Sequence, residues 1–231
     1  DSHWLVRPNE QVLDDTDRYG VEMGLQLAQG TEGTLTLVSM GPAGSMQGIR
    51  QALAMGANKA VIVEDPTLRG SDALLTARVL AAAIEREGFD LVIAGTESTD
   101  GYSGVIPQML AELLDVPALT YATKVEAADG KVTIHRQTAN GYEVVEASLP
   151  AVVSVTAGVV EPRYPTFKGI MDAKKKPVET PSLVDLGVDA SIGQKVTEVS
   201  EAPARSAGEK IEDDGEAHLK IVEFLARKKV I

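Results

Sequence analysis

No cysteine occurs among the 231 residues. That absence excludes disulfides, iron–sulfur clusters, thiolate zinc sites and cysteine nucleophiles together. Histidine is scarce: His3, His135 and His218 are scattered, and only the fold could gather them around a metal. Positive charge is in deficit, with 22 Lys and Arg against 34 Asp and Glu and a formal net charge of −12. Such a surface repels phosphates, so neither nucleic acid nor an anionic membrane is expected as a partner. No apolar run approaches the length of a bilayer span and no signal-peptide pattern opens the sequence. The expectation is therefore a cytoplasmic protein without direct membrane insertion. A catalytic constellation is missing too. Ser103 has no histidine near it in sequence, and the pairs Asp14-Asp15 and Asp213-Asp214 read as cap or surface groups. There is no internal repeat, heptad run or metal-ligand spacing.

The apolar fraction of 44% is ordinary for a globular chain, and the length suffices for a full core. Residues 14–28 carry Tyr19, Met23 and Leu27 at near-helical spacing, with Asp15, Thr16 or Asp17 available as N-cap. A buried strand follows over 35–39, then a helix over 45–55, a strand over 60–63, a long helix over 71–87 and a strand over 90–94. All-apolar strands alternating with helices predict a parallel sheet covered on both faces. Ligands of such sheets bind beyond the carboxyl ends of the strands. Two glycine-rich turns leave strands at that edge, residues 39–44 and 95–104.

The second turn carries the most chemistry. In G-T-E-S-T-D-G-Y-S-G-V-I-P-Q (95–108), Gly101 and Gly104 allow the backbone to approach a ligand. The helix beginning near Val105 points free N–H groups and its positive dipole end at the same place. Ser103 adds a hydroxyl donor, and Pro107 sits in the first turn, where it forfeits no hydrogen bond. The arrangement predicts a cradle for an adenine-nucleotide phosphate; an ordinary βα connection with two turn glycines fits the same spacing. It is neither a Walker loop nor the dinucleotide fingerprint.

After Asp115 the pattern changes. Residues 118–125, 131–138 and 141–149 alternate polar and apolar positions, with hairpin turns at Asp129-Gly130 and Asn140-Gly141. An antiparallel extension of the sheet is predicted, closed by a strand over 151–155. Residues 161–171 form a proline-bounded loop before Lys174-Lys175-Lys176. Residues 177–215 read as an extended arm and 216–228 as an amphipathic helix with Leu219, Val222, Phe224 and Leu225 towards one side.

Three segments together resemble the small (β) subunit of electron-transfer flavoprotein. They are A-L-A-M-G-A-N-K-A (52–60), A-G-T-E-S-T-D-G (94–101) and E-P-R-Y-P-T-F-K-G-I-M-D-A-K-K-K (161–176). The A-R-S-A-G-E-K stretch (204–210) is similar to the family's C-terminal arm, and E-S-T-D-G is most like actinobacterial members. The resemblance covers almost the whole chain. It implies an α/β fold: a three-layer αβα domain of the adenine-nucleotide α-hydrolase type over residues 1–180, with a mainly parallel sheet, an antiparallel extension, and an arm over 181–231 that docks on a partner subunit. The family's large (alpha) subunit carries most of the contacts to FAD, and the small subunit commonly holds a structural AMP. Carried over by motif, the AMP site comprises Asp14, Thr16, Met40, Gly95, Thr96, Asp100, Gly101, Ser103, Gly104, Val105 and Ile106. The loop of Arg163, Tyr164, Phe167, Ile170 and Met171 matches the segment that anchors acyl-CoA dehydrogenases, with Phe167 in place of the usual leucine. Electrons are expected to pass on to a membrane quinone oxidoreductase. The chain itself is expected to be a carrier subunit in electron transport and fatty acid oxidation, not an enzyme.

The sequence departs from the family pattern in three places. The β-strand and V-K-x-V-x-D-like segment with which the family opens are not in it, so part of the nucleotide and flavin contact is expected to lie outside these residues. Thr16 stands where some relatives place an aromatic near the flavin. Gln137 replaces a glutamate that pairs with an arginine of the large subunit in some relatives. Two alternatives stay open: a flavin-bifurcating subunit with FAD in place of AMP, and a stand-alone adenine-nucleotide sensor.

Overall fold

Every short apolar run of the first half becomes a strand, and each is followed by a helix. The computed structural model describes residues 6, 11–42, 44–204, 208, 210–213 and 215–231. The expectations that fall on His3, Ala43, residues 205–207 and 209, and Asp214 lie outside them. In order come α1 (Asp15–Gly30), β1 (Thr36–Met40), α2 (Met46–Met55), β2 (Lys59–Val63), α3 (Ala73–Glu87), β3 (Leu91–Gly95) and α4 (Ile106–Leu113). Asp14 caps α1 by accepting from the Thr16 amide, and Asp72 caps α3 by accepting from the Leu75 amide. Each cap satisfies an orphan donor of the first turn and adds negative charge at the positive end of the helix. Gly56 (φ 144°) and Gly88 (φ 71°) then end α2 and α3 in conformations that L-residues avoid.

The alternating half follows as β4 (Ala118–Ala128), β5 (Lys131–Thr138), β6 (Gly141–Ser148) and β7 (Ala151–Val155). The chain continues through α5 (Phe167–Ala173), β8 (Val178–Glu179) and α6 (Leu183–Leu186). Within β2, Val61 and Val63 pack against α3 while Ala60 and Ile62 pack against α2, so helices cover both faces of the sheet. The architecture is the three-layer α/β one that alternating apolar strands require.

The strands form two sheets among the described residues, ordered β1-β2-β8 and β3-β7-β4-β5-β6, where the sequence reading has a single one. Pairing is parallel through β1, β2 and β8 and through β3, β7 and β4, then antiparallel through β5 and β6. Among the described residues β1 and β3 each pair on one side only. Both are half-buried throughout, whereas β7 is wholly buried between two neighbours. Helix α1 lies close over both sheets at Gly24: a Cβ there would stand 2.8 Å from a Leu35 methyl and 3.7 Å from Ile93 Cδ1.

Two further stretches differ from the sequence reading. The proline-bounded loop is helical from Phe167, because Thr166 accepts from the Gly169 amide and starts α5. The stretch expected as an arm contains β8 on the edge of β2 and α6 with a Ser182–Asp185 capping box. The chain divides into two compact units, Asp1–Val196 and Thr197–Ile231, so residues 181–196 belong with the first. In the second unit, α7 (Ala217–Arg227) buries no residue of its own and leaves Leu219, Ile221, Val222 and Phe224 exposed. Among the described residues no helix is long and apolar enough to cross a membrane.

Candidate functional site: a nucleotide loop and an apolar helix face

The β3–α4 connection and the N-terminus of α1 meet. Thr99 Oγ1 donates to Asp14 Oδ2 at 2.8 Å, across 85 residues of sequence. Thr16 donates to Asp14 Oδ1 through its amide and its hydroxyl. Gly95 faces the same turn: a Cβ on it would stand 3.7 Å from Asp17 Oδ1 and 3.9 Å from Thr16 Oγ1. Thr96 Oγ1 donates to the Val155 carbonyl at 3.1 Å and ties the start of the loop to β7. Ser98 then organises the bend, its hydroxyl accepting from the Gly101 amide and its carbonyl from the Tyr102 amide.

Beyond that bend the backbone opens. Tyr102 and Gly104 have φ of 48° and 62°, and Val105 precedes α4 with no side-chain cap. The amides of Ser103, Gly104 and Val105 have no partner among the hydrogen bonds of the described residues. Unpaired amides at a helix start form a donor fan suited to phosphate oxygens. Gly101, which the sequence reading places in the nucleotide site, spends its amide on Ser98. Met40 packs with the side chains of β2 and α3, and Ile106 with those of α3 and α4.

The side chains around this fan are acidic. Burial would raise the Asp14 pKa, but hydrogen bonds from Thr16 and Thr99 outweigh it and hold the carboxyl below its ordinary value. Asp17 is reachable by solvent yet crowded by protein. Desolvation, followed by the charges of Asp14 and Asp100, pushes it up to about 6. The carboxylate of Glu97 also approaches, 3.4 Å from where a Cβ on Gly104 would lie. The donors that this loop offers are main-chain amides.

On the 161–173 segment the apolar side chains face outward. Tyr164 and Phe167 are 85% and 82% exposed, and Ile170 and Met171 are about half exposed beside them. Arg163, grouped with these residues by resemblance, turns inward onto α1. Its Nε and Nη2 reach the two carboxylate oxygens of Glu22 at 2.7 and 2.9 Å, and its amide donates to Glu22 Oε2 at 3.2 Å. Glu22 is 3% exposed, and Gln26 completes its acceptor set. Burial alone would raise the Glu22 pKa; the bonds from Arg163 and Gln26 and the guanidinium charge bring it below the ordinary value. Sequence reasoning misses Glu22; it offers Asp17 only as a possible N-cap and Thr99 only as a member of the glycine-bearing loop. The one available signal was an acidic residue between Val21 and Met23, in the middle of a helix with an apolar face.

Comparison with known proteins identifies the family. The profile described as "Electron transfer flavoprotein domain" matches residues 3–186. The protein named electron transfer flavoprotein subunit beta of Mycobacterium tuberculosis (strain ATCC 25618 / H37Rv) is 44% identical, covering 96% of this chain and 88% of its own. The subunit beta of Syntrophomonas wolfei is 39% identical over 89% of this chain and 79% of its own, and that of Bacillus subtilis (strain 168) 34% over 89% and 81%. With its fold, its two glycine-bearing strand ends and its family profile in agreement, this chain belongs to the electron transfer flavoprotein family, among the beta subunits.

Proposed function

We propose that the chain is the small subunit of a heterodimeric electron carrier, taking electrons from acyl-CoA dehydrogenases and passing them to a membrane quinone reductase in the cytoplasm. The observation that carries this reading is the exposed face of Phe167, Ile170 and Met171 on helix α5, with Tyr164 exposed just before it. An apolar anchor of this size gives a docking hot spot in a weak, transient contact. FAD, held mainly by the large subunit, supplies the redox chemistry when bound. This chain's own residues dock the donor, wall one side of the flavin and clamp a nucleotide.

For AMP, the free amides of Ser103, Gly104 and Val105 are the donors that fit its phosphate, with the Ser103 hydroxyl beside them. The caps on Asp14 hold the start of α1 against that loop. Helix α7, with its uncovered apolar side chains, is the part that engages the large subunit. The test is stopped-flow reduction of the heterodimer by an acyl-CoA dehydrogenase. Removing the Phe167 ring forfeits about 2 kcal/mol of apolar burial, roughly a 30-fold rise in KM, with FAD content unchanged. An unaltered KM rejects the docking assignment.

A further inference from the structure

Helix α5 is only seven residues long, too short to hold its own geometry in water, and yet it presents the apolar face. It is pinned at three points. Gly169 lies so close to α2 that a Cβ on it would stand 2.4 Å from the Ala54 carbonyl oxygen. Just beyond the helix, Lys176 Nζ donates to the Leu53 carbonyl at 2.8 Å. Just before it, Arg163 takes both oxygens of Glu22 with its fork and one of them with its amide. The first two pins hold α5 to the end of α2. The third holds the entering chain to a different helix, α1, and fixes the direction from which residues 164–166 arrive.

The chemistry of that third pin is unusual for a purely structural contact. Glu22 is 3% exposed, and its partner's side chain 33%. A buried ion pair generally contributes no more stability than well-packed apolar residues of the same volume. What a bidentate guanidinium–carboxylate pair adds is direction: two parallel bonds fix the plane and the angle of the chain that bears them. Here it bears the approach to Tyr164 and Phe167. We propose that Arg163 is a positioning residue for donor docking, clasping Glu22 so that α5 meets the donor with Phe167 already set. Pre-set anchors bind more tightly because less freedom is lost on association. This rests on the docking role of Phe167 proposed above.

The test is a double-mutant cycle in the heterodimer with its large subunit, read as KM and kcat for reduction by an acyl-CoA dehydrogenase. Arg163→Ala is expected to raise KM about tenfold, the scale of a significant interface loss, and to change kcat by less than about twofold. Arg163→Lys keeps the charge without the fork, so about threefold is expected. Adding Phe167→Ala to Arg163→Ala should cost less than the product of the two single effects, because an unset anchor has little left to lose. A structural role alone would lower the thermal midpoint and leave the two effects multiplicative. That multiplicative result overturns the proposal. A raised KM for Phe167→Ala with an unchanged one for Arg163→Ala also overturns it, and leaves the docking reading standing. Unchanged KM in both variants overturns the docking reading and this inference with it. Should Arg163→Ala not fold, Arg163→Lys and Glu22→Gln carry the same cycle.

Discussion

Replacing Gly169 with alanine puts a methyl carbon 2.4 Å from the Ala54 carbonyl oxygen, where ordinary contact needs about a further ångström. The obstacle is backbone at the end of α2, so no rotamer change relieves it. Helix α5 must lift, and the bond from Lys176 Nζ to the Leu53 carbonyl is drawn out with it. Overpacking of this kind costs roughly 1–3 kcal/mol, and loss of the Lys176 bond about 1 kcal/mol more. Helix propensity returns up to about 1 kcal/mol, since Gly169 lies inside a helix. The net expectation is a loss of roughly 1–3 kcal/mol, a fall in thermal midpoint of about 2–12 °C for a unit of this size. Differential scanning fluorimetry of the heterodimer measures it. Gly24→Ala is the control, because the 2.8 Å contact there is with a Leu35 methyl, the free end of a flexible side chain. A Gly169 variant at or above the wild-type midpoint would refute the close α2–α5 packing, and with it the rigid presentation of Phe167.

Two other predictions concern the β3–α4 loop and the start of α1, where the nucleotide is proposed to bind. Asp17 titrates near pH 6 in the folded chain against an ordinary 3.8. The unfolded carboxyl therefore ionises first, and the stability owed to protonated Asp17 is complete below pH 4 and lost as pH rises through about 6. Complete burial would make this about 3 kcal/mol, and solvent access reduces it to ~1 kcal/mol. Asp17→Asn should then be more stable than wild type at pH 7 and indistinguishable from it near pH 4. Equal urea midpoints at both pH values would contradict the crowding of Asp17. Gly104→Val places a β-branched residue at φ 62°, which costs roughly 1–2 kcal/mol locally and crowds the donor fan. Nucleotide co-purifying with the heterodimer should drop severalfold, by mass spectrometry, while FAD stays; unchanged occupancy would place the phosphate elsewhere.

Much of the fold is legible in the sequence because local pattern and tertiary outcome agree. Val61-Ile62-Val63 can only be a strand buried on both faces, and the Asp129-Gly130 turn, φ 52° and 74°, falls between two alternating runs. Helix α5 is not legible, since proline and glycine argue against it and its support is α2, over 100 residues earlier in the chain. Nor is β8, whose two residues are a strand only because β2 offers them an edge. The β3–α4 loop is visible as glycines before a helix, but which amides remain free depends on Ser98 claiming Gly101 and Tyr102. The Glu22–Arg163 pair spans 141 residues, and nothing local in either segment announces the other. The two residues were legible separately, one as a helix position and the other as part of a motif.

The central claim is that this chain holds a nucleotide by main-chain amides beside a flavin carried chiefly by its mate. Denaturing the purified heterodimer and quantifying the released small molecules tests it most directly. The account predicts AMP and FAD in equal amounts, with the AMP lost in the Gly104→Val variant. Two FAD per heterodimer, or FAD with no adenine mononucleotide at all, would contradict it.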